Sequence, residues 1–171
     1  ITNIPNSYAY AGTGDIDGSG NMKVFWQDVA GNSLKITTID ITLAPVSTTT
    51  STLGNFNIQV IGRFFDKTKD GILVSNSADG LSVITTVTSG VLGAATALKD
   101  TNTQDVVLDT DFYIAGIGDY NGNGQDDFLI RNSTSKAISL VSFTNNSFKL
   151  SALAKLPAGY EFGYSSAVRK F

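Results

Sequence analysis

Apolar residues along this chain come in short alternating bursts, and no segment keeps a 3.6-residue apolar period. The bursts read as strands. In the first third they fall at Tyr8 to Gly12, Val24 to Trp26, Leu34 to Ile41 and a Thr-rich stretch near Val46 to Leu53. The next set is Phe56 to Ile61, Ile72 to Val74, Leu81 to Val87 and Val91 to Leu98. The last set is Phe112 to Ile117, Phe128 to Arg131, Ala137 to Phe143 and Phe148 to Ala154. Asn, Gly, Ser and Lys punctuate the runs, as expected between strands. The run VLGAATAL, Val91 to Leu98, has a composition that also suits a helix. Its place in the series asks for an outer strand, and a strand is the expectation.

The grouping into fours is a repeat. YAGTGDIDGSGNMKVFWQD, Tyr10 to Asp28, aligns without a gap on IAGIGDYNGNGQDDFLIRN, Ile114 to Asn132. Gly12, Gly14, Asp15, Gly18 and Gly20 match Gly116, Gly118, Asp119, Gly122 and Gly124. A weaker copy, VIGRFFDKTKDGILVSN, runs from Val60 to Asn76. Gly62, Asp66, Leu73 and Asn76 are matched with Gly118, Asn121, Leu129 and Asn132, with one residue taken as deleted from the weaker loop and Phe64 standing where the first Asp belongs. A repeat of about 50 residues lies in the range of propellers and solenoids.

Composition narrows the chemistry. The chain has 171 residues, enough for one domain with a sizeable core. Twelve Lys and Arg against fifteen Asp and Glu give a net charge of −3, without the basic stripe of a nucleic-acid binder. There is no His and no Cys, which removes Ser-His-Asp and Cys-His catalysis, disulfides and nearly all zinc and copper sites. No apolar run approaches the roughly 20 residues of a membrane helix, so no membrane insertion is expected. The chain begins at Ile1 and reads as a mature form or an excised fragment.

The pattern G-x-G-D-x-[DN]-G-x-G followed by an apolar strand resembles the FG-GAP or VCBS repeat. Strong copies cover residues 10–40 and 114–143, and a degenerate one covers 60–87. The resemblance implies an all-β chain built of β-propeller-like blades, each of four antiparallel strands. Three blades are expected, at residues 7–55, 56–110 and 111–158. The tail 159–171 has the position of a further blade's first strand. Three blades do not close a ring alone. The expected partners are therefore further blades of a longer chain or copies of this one, two chains making six blades. Exposed blade faces and strand edges favour such association.

The glycine-acid loops hold the candidate chemistry. In the third copy, Asp119, Asn121, Asn123, Gln125 and Asp127 occupy loop positions 1, 3, 5, 7 and 9. A tight loop turns alternate oxygens inward, and calcium takes six to eight hard oxygens at about 2.3–2.6 Å. The two carboxylates, two amides and the Gln125 carbonyl supply most of them. The family resemblance also implies calcium here. The alternative is a metal-free turn, since Asn121-Gly122 and Asn123-Gly124 are strong turn dipeptides. The first copy offers Asp15, Asp17, Ser19 and Asn21, a weaker calcium set, because Lys23 stands at the ninth position. Its ammonium is a candidate to replace the ion. The second loop, with Lys67 and Lys69 around Asp66 and Asp70, reads as a metal-free turn, with Phe64 filling the vacated space.

Other features are weaker. Trp26 is the only tryptophan; it is expected to pack between blades, a sugar-binding role being the alternative. Tyr120 lies in a loop and is expected to be exposed, and Arg131 reads as a surface charge or partner contact. Asn132-Ser133-Thr134 and Asn145-Asn146-Ser147 match the N-glycosylation pattern, which chance supplies readily in so Ser/Thr/Asn-rich a chain. No acidic pair stands apart from the loops, and no G-x-G here opens a helix, so an enzyme is not expected. Three roles remain. One is an extracellular calcium-binding module for adhesion or for glycan or protein binding. Another is a self-associating structural subunit of a surface layer or filament. The third is the non-catalytic propeller part of a larger secreted enzyme. Millimolar extracellular calcium suits weak loops, and a secreted or cell-surface protein of bacterial type is expected.

Overall fold

The computed structural model describes residues 4–157, apart from 29, 31–32, 41, 89–90, 101, 109–110, 145–146 and 156. The tail 159–171 and Asn145 thus lie outside the described residues. Among the described residues there is no helix. Twelve strands form three four-stranded antiparallel sheets, in chain order.

The first sheet is β1 (Tyr8–Gly14), β2 (Met22–Asp28), β3 (Ser33–Ile39) and β4 (Pro45–Thr52), in that spatial order. The third sheet repeats it with β11 (Phe112–Gly118), β12 (Asp127–Asn132), β13 (Ala137–Thr144) and β14 (Ser147–Lys155). The second begins alike, with β5 (Phe56–Gly62), β6 (Gly71–Asn76) and β7 (Ser82–Thr85). Its outer strand departs from expectation. Val91 to Leu98 is not helical, nor is it one strand. A two-residue ribbon joins β8 (Val87–Thr88) to β9 (Val91–Leu92), and only β10 (Thr96–Ala97) pairs with β7. The chain then turns back. Leu98 N–H donates to Ser82 O at 2.9 Å, and Val106 N–H to Leu98 O at 2.8 Å. Gly93 and the small residues after it favour this bend over a continued strand.

Each inner strand carries a register shift at the same place: Tyr10/Gly12 in β1, Ile58/Val60 in β5 and Ile114/Gly116 in β11. A bulge at one repeated position is a built feature of the repeat. In the first sheet, Gln27 crosses to the second and satisfies the shifted backbone there. Ile58 N–H donates to Gln27 Oε1 at 3.0 Å, and Gln27 Nε2 donates to Asn57 Oδ1 at 2.8 Å.

The sheets stack face to face, with β5 beside both β1 and β11. One core lies between the first and second sheets, with Ile16, Phe25, Leu34, Ile36, Ile58, Ile72, Val74 and Val83 buried. A second lies between the second and third, around Phe64, Leu73, Ile84, Phe128, Ile130, Val141 and Phe143. Alternation along each strand explains the order: β6 sends Ile72 and Val74 to the first core and Leu73 to the second. The second sheet is thus covered on both faces.

Trp26 is a correction. Val74 and Ile130, its equivalents, are buried between sheets, but Trp26 lies on the outer face of the first sheet, opposite the Phe25 face. No described sheet precedes it there. It stacks edge-on against Tyr10, ring centroids 6.0 Å apart. Arg131 is also corrected: it is fully buried within β12, its Nη1 donating to the Tyr113 hydroxyl at 2.7 Å.

Candidate metal loops

All three loops join an inner strand to the second strand of its sheet, and all have one length. Gly14 pairs with Lys23, Gly62 with Gly71, and Gly118 with Asp127, so each loop has eight residues, at 15–22, 63–70 and 119–126. The expected deletion in the second loop is therefore absent. Its ligand positions hold Arg63, Phe65, Lys67, Lys69 and Gly71, without one side-chain oxygen. Phe64 stands at the second position, equivalent to Ile16 and Tyr120, and not at the first. It is fully buried, its ring 5.3 Å from that of Phe143 and 6.2 Å from that of Phe128.

The first and third loops share their geometry. Gly18 and Gly20 have φ of 69° and 78°, Gly122 and Gly124 of 74° and 83°, angles at which a Cβ is strained. Asp15 accepts from the N–H of Ser19 at 3.1 Å and of Gly20 at 2.9 Å. Asp119 accepts from the equivalent N–H groups of Asn123 at 3.0 Å and Gly124 at 2.8 Å. The acidic first position therefore anchors the turn in both.

In the first loop a cation is already present. The Lys23 ammonium donates to Asp17 Oδ1 at 2.6 Å, Ser19 Oγ at 3.3 Å and Asn21 O at 3.2 Å. These are the oxygens of positions 3, 5 and 7, the set expected around calcium. Partial burial raises the Asp17 pKa, but hydrogen bonds from Lys23 and Ser19 and the Lys23 charge outweigh it, and its carboxyl titrates well below the ordinary range. Lys23 itself is buried.

In the third loop position 9 carries the opposite charge. Asp127 is fully buried. Its Oδ2 accepts from the N–H of Tyr120 at 3.0 Å and of Asn121 at 3.2 Å, and its Oδ1 accepts from Asn121 Nδ2 at 3.1 Å and Phe143 N–H at 2.9 Å. Asn123 Oδ1 accepts from Gln125 N–H at 2.7 Å, and Asn123 Nδ2 donates to Phe143 O at 2.6 Å. Gln125 is buried and donates through Nε2 to Phe64 O, and Lys67 reaches from the second loop to Asn123 O. The five expected residues are thus brought together around one turn.

The donor chemistry fits a hard cation. Lys23 acts as a stand-in ion in the first loop, held by positions 3, 5 and 7. The third loop has the same backbone, carries no such lysine of its own, and adds a carboxylate at position 9. Asp119, Asn121, Asn123, the Gln125 carbonyl and Asp127 would hold a calcium ion there, which would cross-link the turn to β12.

Residues next to these loops matter as well. Asp70 and Asp126 each end a loop, and each reaches back to the preceding sheet. Asp15 N–H donates to Asp70 Oδ2 at 2.7 Å, and Asp70 N–H donates to Asp15 O at 2.9 Å. Arg63 N–H donates to Asp126 Oδ2 at 2.8 Å, and Asp126 N–H donates to Arg63 O at 2.8 Å. Burial raises the Asp70 pKa, with Asp126 and Asp15 adding to it against the Asp15 N–H bond and the Arg63 charge. The sequence hid this pair because the equivalent residue of the first repeat is Met22. Comparison of the chain with family models, curated protein sequences and solved structures returned no match.

Proposed function

We propose that the chain is a non-catalytic run of propeller-type blades that works outside the cell as an adhesion or binding module for a protein or glycan, stabilised by calcium at the 119–127 loop. The observation that carries this reading is the common geometry of two loops, one of which already holds a positive charge among its position 3, 5 and 7 oxygens. The non-catalytic part rests on how the buried polar side chains are used. Lys23 ties a loop, Gln27 joins two sheets, Asp127 and Gln125 hold backbone groups, and Arg131 bonds Tyr113. Each serves the fold.

A structural role in a surface layer or filament draws on a different observation. The two outermost faces leave large apolar side chains uncovered, with Tyr10 40% and Met22 46% exposed on the first sheet's side and Tyr120 50% exposed on the third's. Patches of this kind mark contact surfaces.

The calcium reading is tested by thermal unfolding with millimolar calcium and with EDTA. A ligand that binds only the folded state raises its stability by mass action. Calcium is expected to raise the melting temperature, and Asp119→Ala to remove most of that rise. Lys23→Ala is expected to leave the rise in place, because the 119–127 loop supplies it and keeps all its donors in that variant. An unchanged wild-type melting curve in EDTA overturns the calcium reading.

A further inference from the structure

The two junctions between sheets are built alike. At each, the following sheet contributes an isoleucine just before its inner-strand glycine and an aspartate just before its second strand. Ile61 and Asp70 seat on Gly14, where a Cβ would lie 2.6 Å from Ile61 and 2.8 Å from Asp70 Oδ2. Ile117 and Asp126 seat on Gly62, where a Cβ would lie 2.5 Å and 2.9 Å from them. The aspartate also closes the paired backbone bonds, to Asp15 at the first junction and to Arg63 at the second.

The third sheet carries the receiving half of this junction again. Gly118 corresponds to Gly14 and Gly62, but the nearest atom to a Cβ there is Tyr120 Cζ at 3.9 Å. Among the described residues nothing bonds the Asp119 N–H. The neighbouring apolar positions tell the same story. Ile16 and Phe64 are 1% and 0% exposed, whereas Tyr120 is 50% exposed. Phe25 and Leu73 are fully buried and Leu129 is not; Ile36 and Ile84 are buried and Leu140 is not. The third sheet thus presents a face of the same chemistry that its two predecessors bury.

We propose that this face, centred on Gly118, Tyr120, Leu129 and Leu140, is a docking surface for a further four-stranded repeat carrying an aspartate before its second strand and an aliphatic residue before its inner-strand glycine. The argument is continuity with two existing junctions, and it does not depend on calcium. A second copy stacked head to tail does not reproduce the junction. Its first sheet would have to supply the incoming half, and there Thr13 stands at the isoleucine position and Met22 at the aspartate position. Neither fills the slot nor bonds the Asp119 N–H. Tyr120, whose hydroxyl now lies over Gly116, must swing into the junction as Ile16 and Phe64 do.

The test equips the chain to accept itself. Thr13 is exposed and Met22 is 46% exposed, so Thr13→Ile with Met22→Asp leaves both cores intact. Sedimentation equilibrium at micromolar concentration is expected to find the wild type as single chains. The double variant is expected to self-associate about tenfold more tightly or better, the range of one hydrogen bond to a charged group. Adding Gly118→Ala, whose Cβ meets only an ordinary contact with Tyr120 within the single chain, is expected to return it to single chains. A folded double variant that stays monomeric overturns the proposal. So does a wild type whose own self-association is lost on Gly118→Ala, since the occupant would then be a second copy. A second measurement covers a double variant that fails to fold. Asp126→Ala in the full chain is expected to speed hydrogen exchange in β11 and β12 relative to β6, and unchanged exchange there overturns the role assigned to the aspartate.

Discussion

Lys23 and Asp17 set the charge of the first loop, and the sign of their linkage is testable. The folded Asp17 carboxyl titrates below its ordinary value of 3.8, because Lys23 and Ser19 favour its ionised form. Its contribution is fully present above that value and declines as the pH falls from it towards the lowered folded value. Lys23→Met is expected to lower the urea midpoint at neutral pH, and the difference from wild type is expected to shrink in acid below the ordinary carboxylate range. A constant difference across that range defeats this account. Asp70 acts in the opposite sense, since burial raises its pKa and the folded state prefers its proton. Its contribution grows as the pH falls from the raised value towards 3.8. At the same scale, Phe64 fills the second core from the second loop position, one place beyond the first-Asp position with which the sequence aligns it. Phe64→Ala is expected to destabilise by about 3–5 kcal/mol in urea unfolding, as large-to-small changes in a closed core do. That misreading has a simple origin. Asp66 resembles the third-position Asp17 and Asn121 of the other loops, and aligning it with them required a gap that the strand pairing does not contain.

At the scale of elements, the alternation of apolar and polar residues was enough to place most of the strands, because each second strand sends alternate residues into a core, β2 and β12 from one face and β6 from both. The outer strands were less legible. β4 is exposed along most of its length and is held mainly by its ladder with β3, so its threonines carry little core signal. The fourth strand of the second sheet shrinks to Thr96–Ala97 because the chain after it folds back over the sheet edge. The junction glycines were visible as a motif, but their use was not. A loop glycine reads as turn chemistry, while Gly14 and Gly62 are needed for the side chains of the next sheet. Gly62→Ala would press a Cβ against Ile117 and Asp126, and overpacking of this kind costs roughly 1–3 kcal/mol. Gly118→Ala in the same chain is expected to leave the melting temperature within experimental error. Equal losses from the two substitutions would mean that backbone conformation, and not the neighbouring sheet, is what those glycines serve.

At the scale of the whole molecule, three sheets in a row form a stack, and the two cores of the described residues each lie between one sheet and the next. Stability in such stacks is close to a sum of unit and nearest-neighbour terms. The middle sheet has two neighbours and the outer sheets have one described neighbour each. Opening the first sheet exposes one core, opening the third exposes the other, and opening the second exposes both. Native-state hydrogen exchange reads such local openings, whose free energies rise towards the global value in the best-packed elements. The slowest amides are therefore expected in β6, whose Ile72, Leu73 and Val74 are all buried and divided between the two cores. β2 and β12 are expected to follow, each with one face in a core. The fastest ladder amides are expected in β4, which joins neither core and is exposed along most of its length. Loop quality alone argues the other way, since the well-formed loops of the first and third repeats would make those sheets the most ordered and the degenerate second repeat the least. Slower exchange in β2 or β12 than in β6 would favour the loops over the stack as the source of stability.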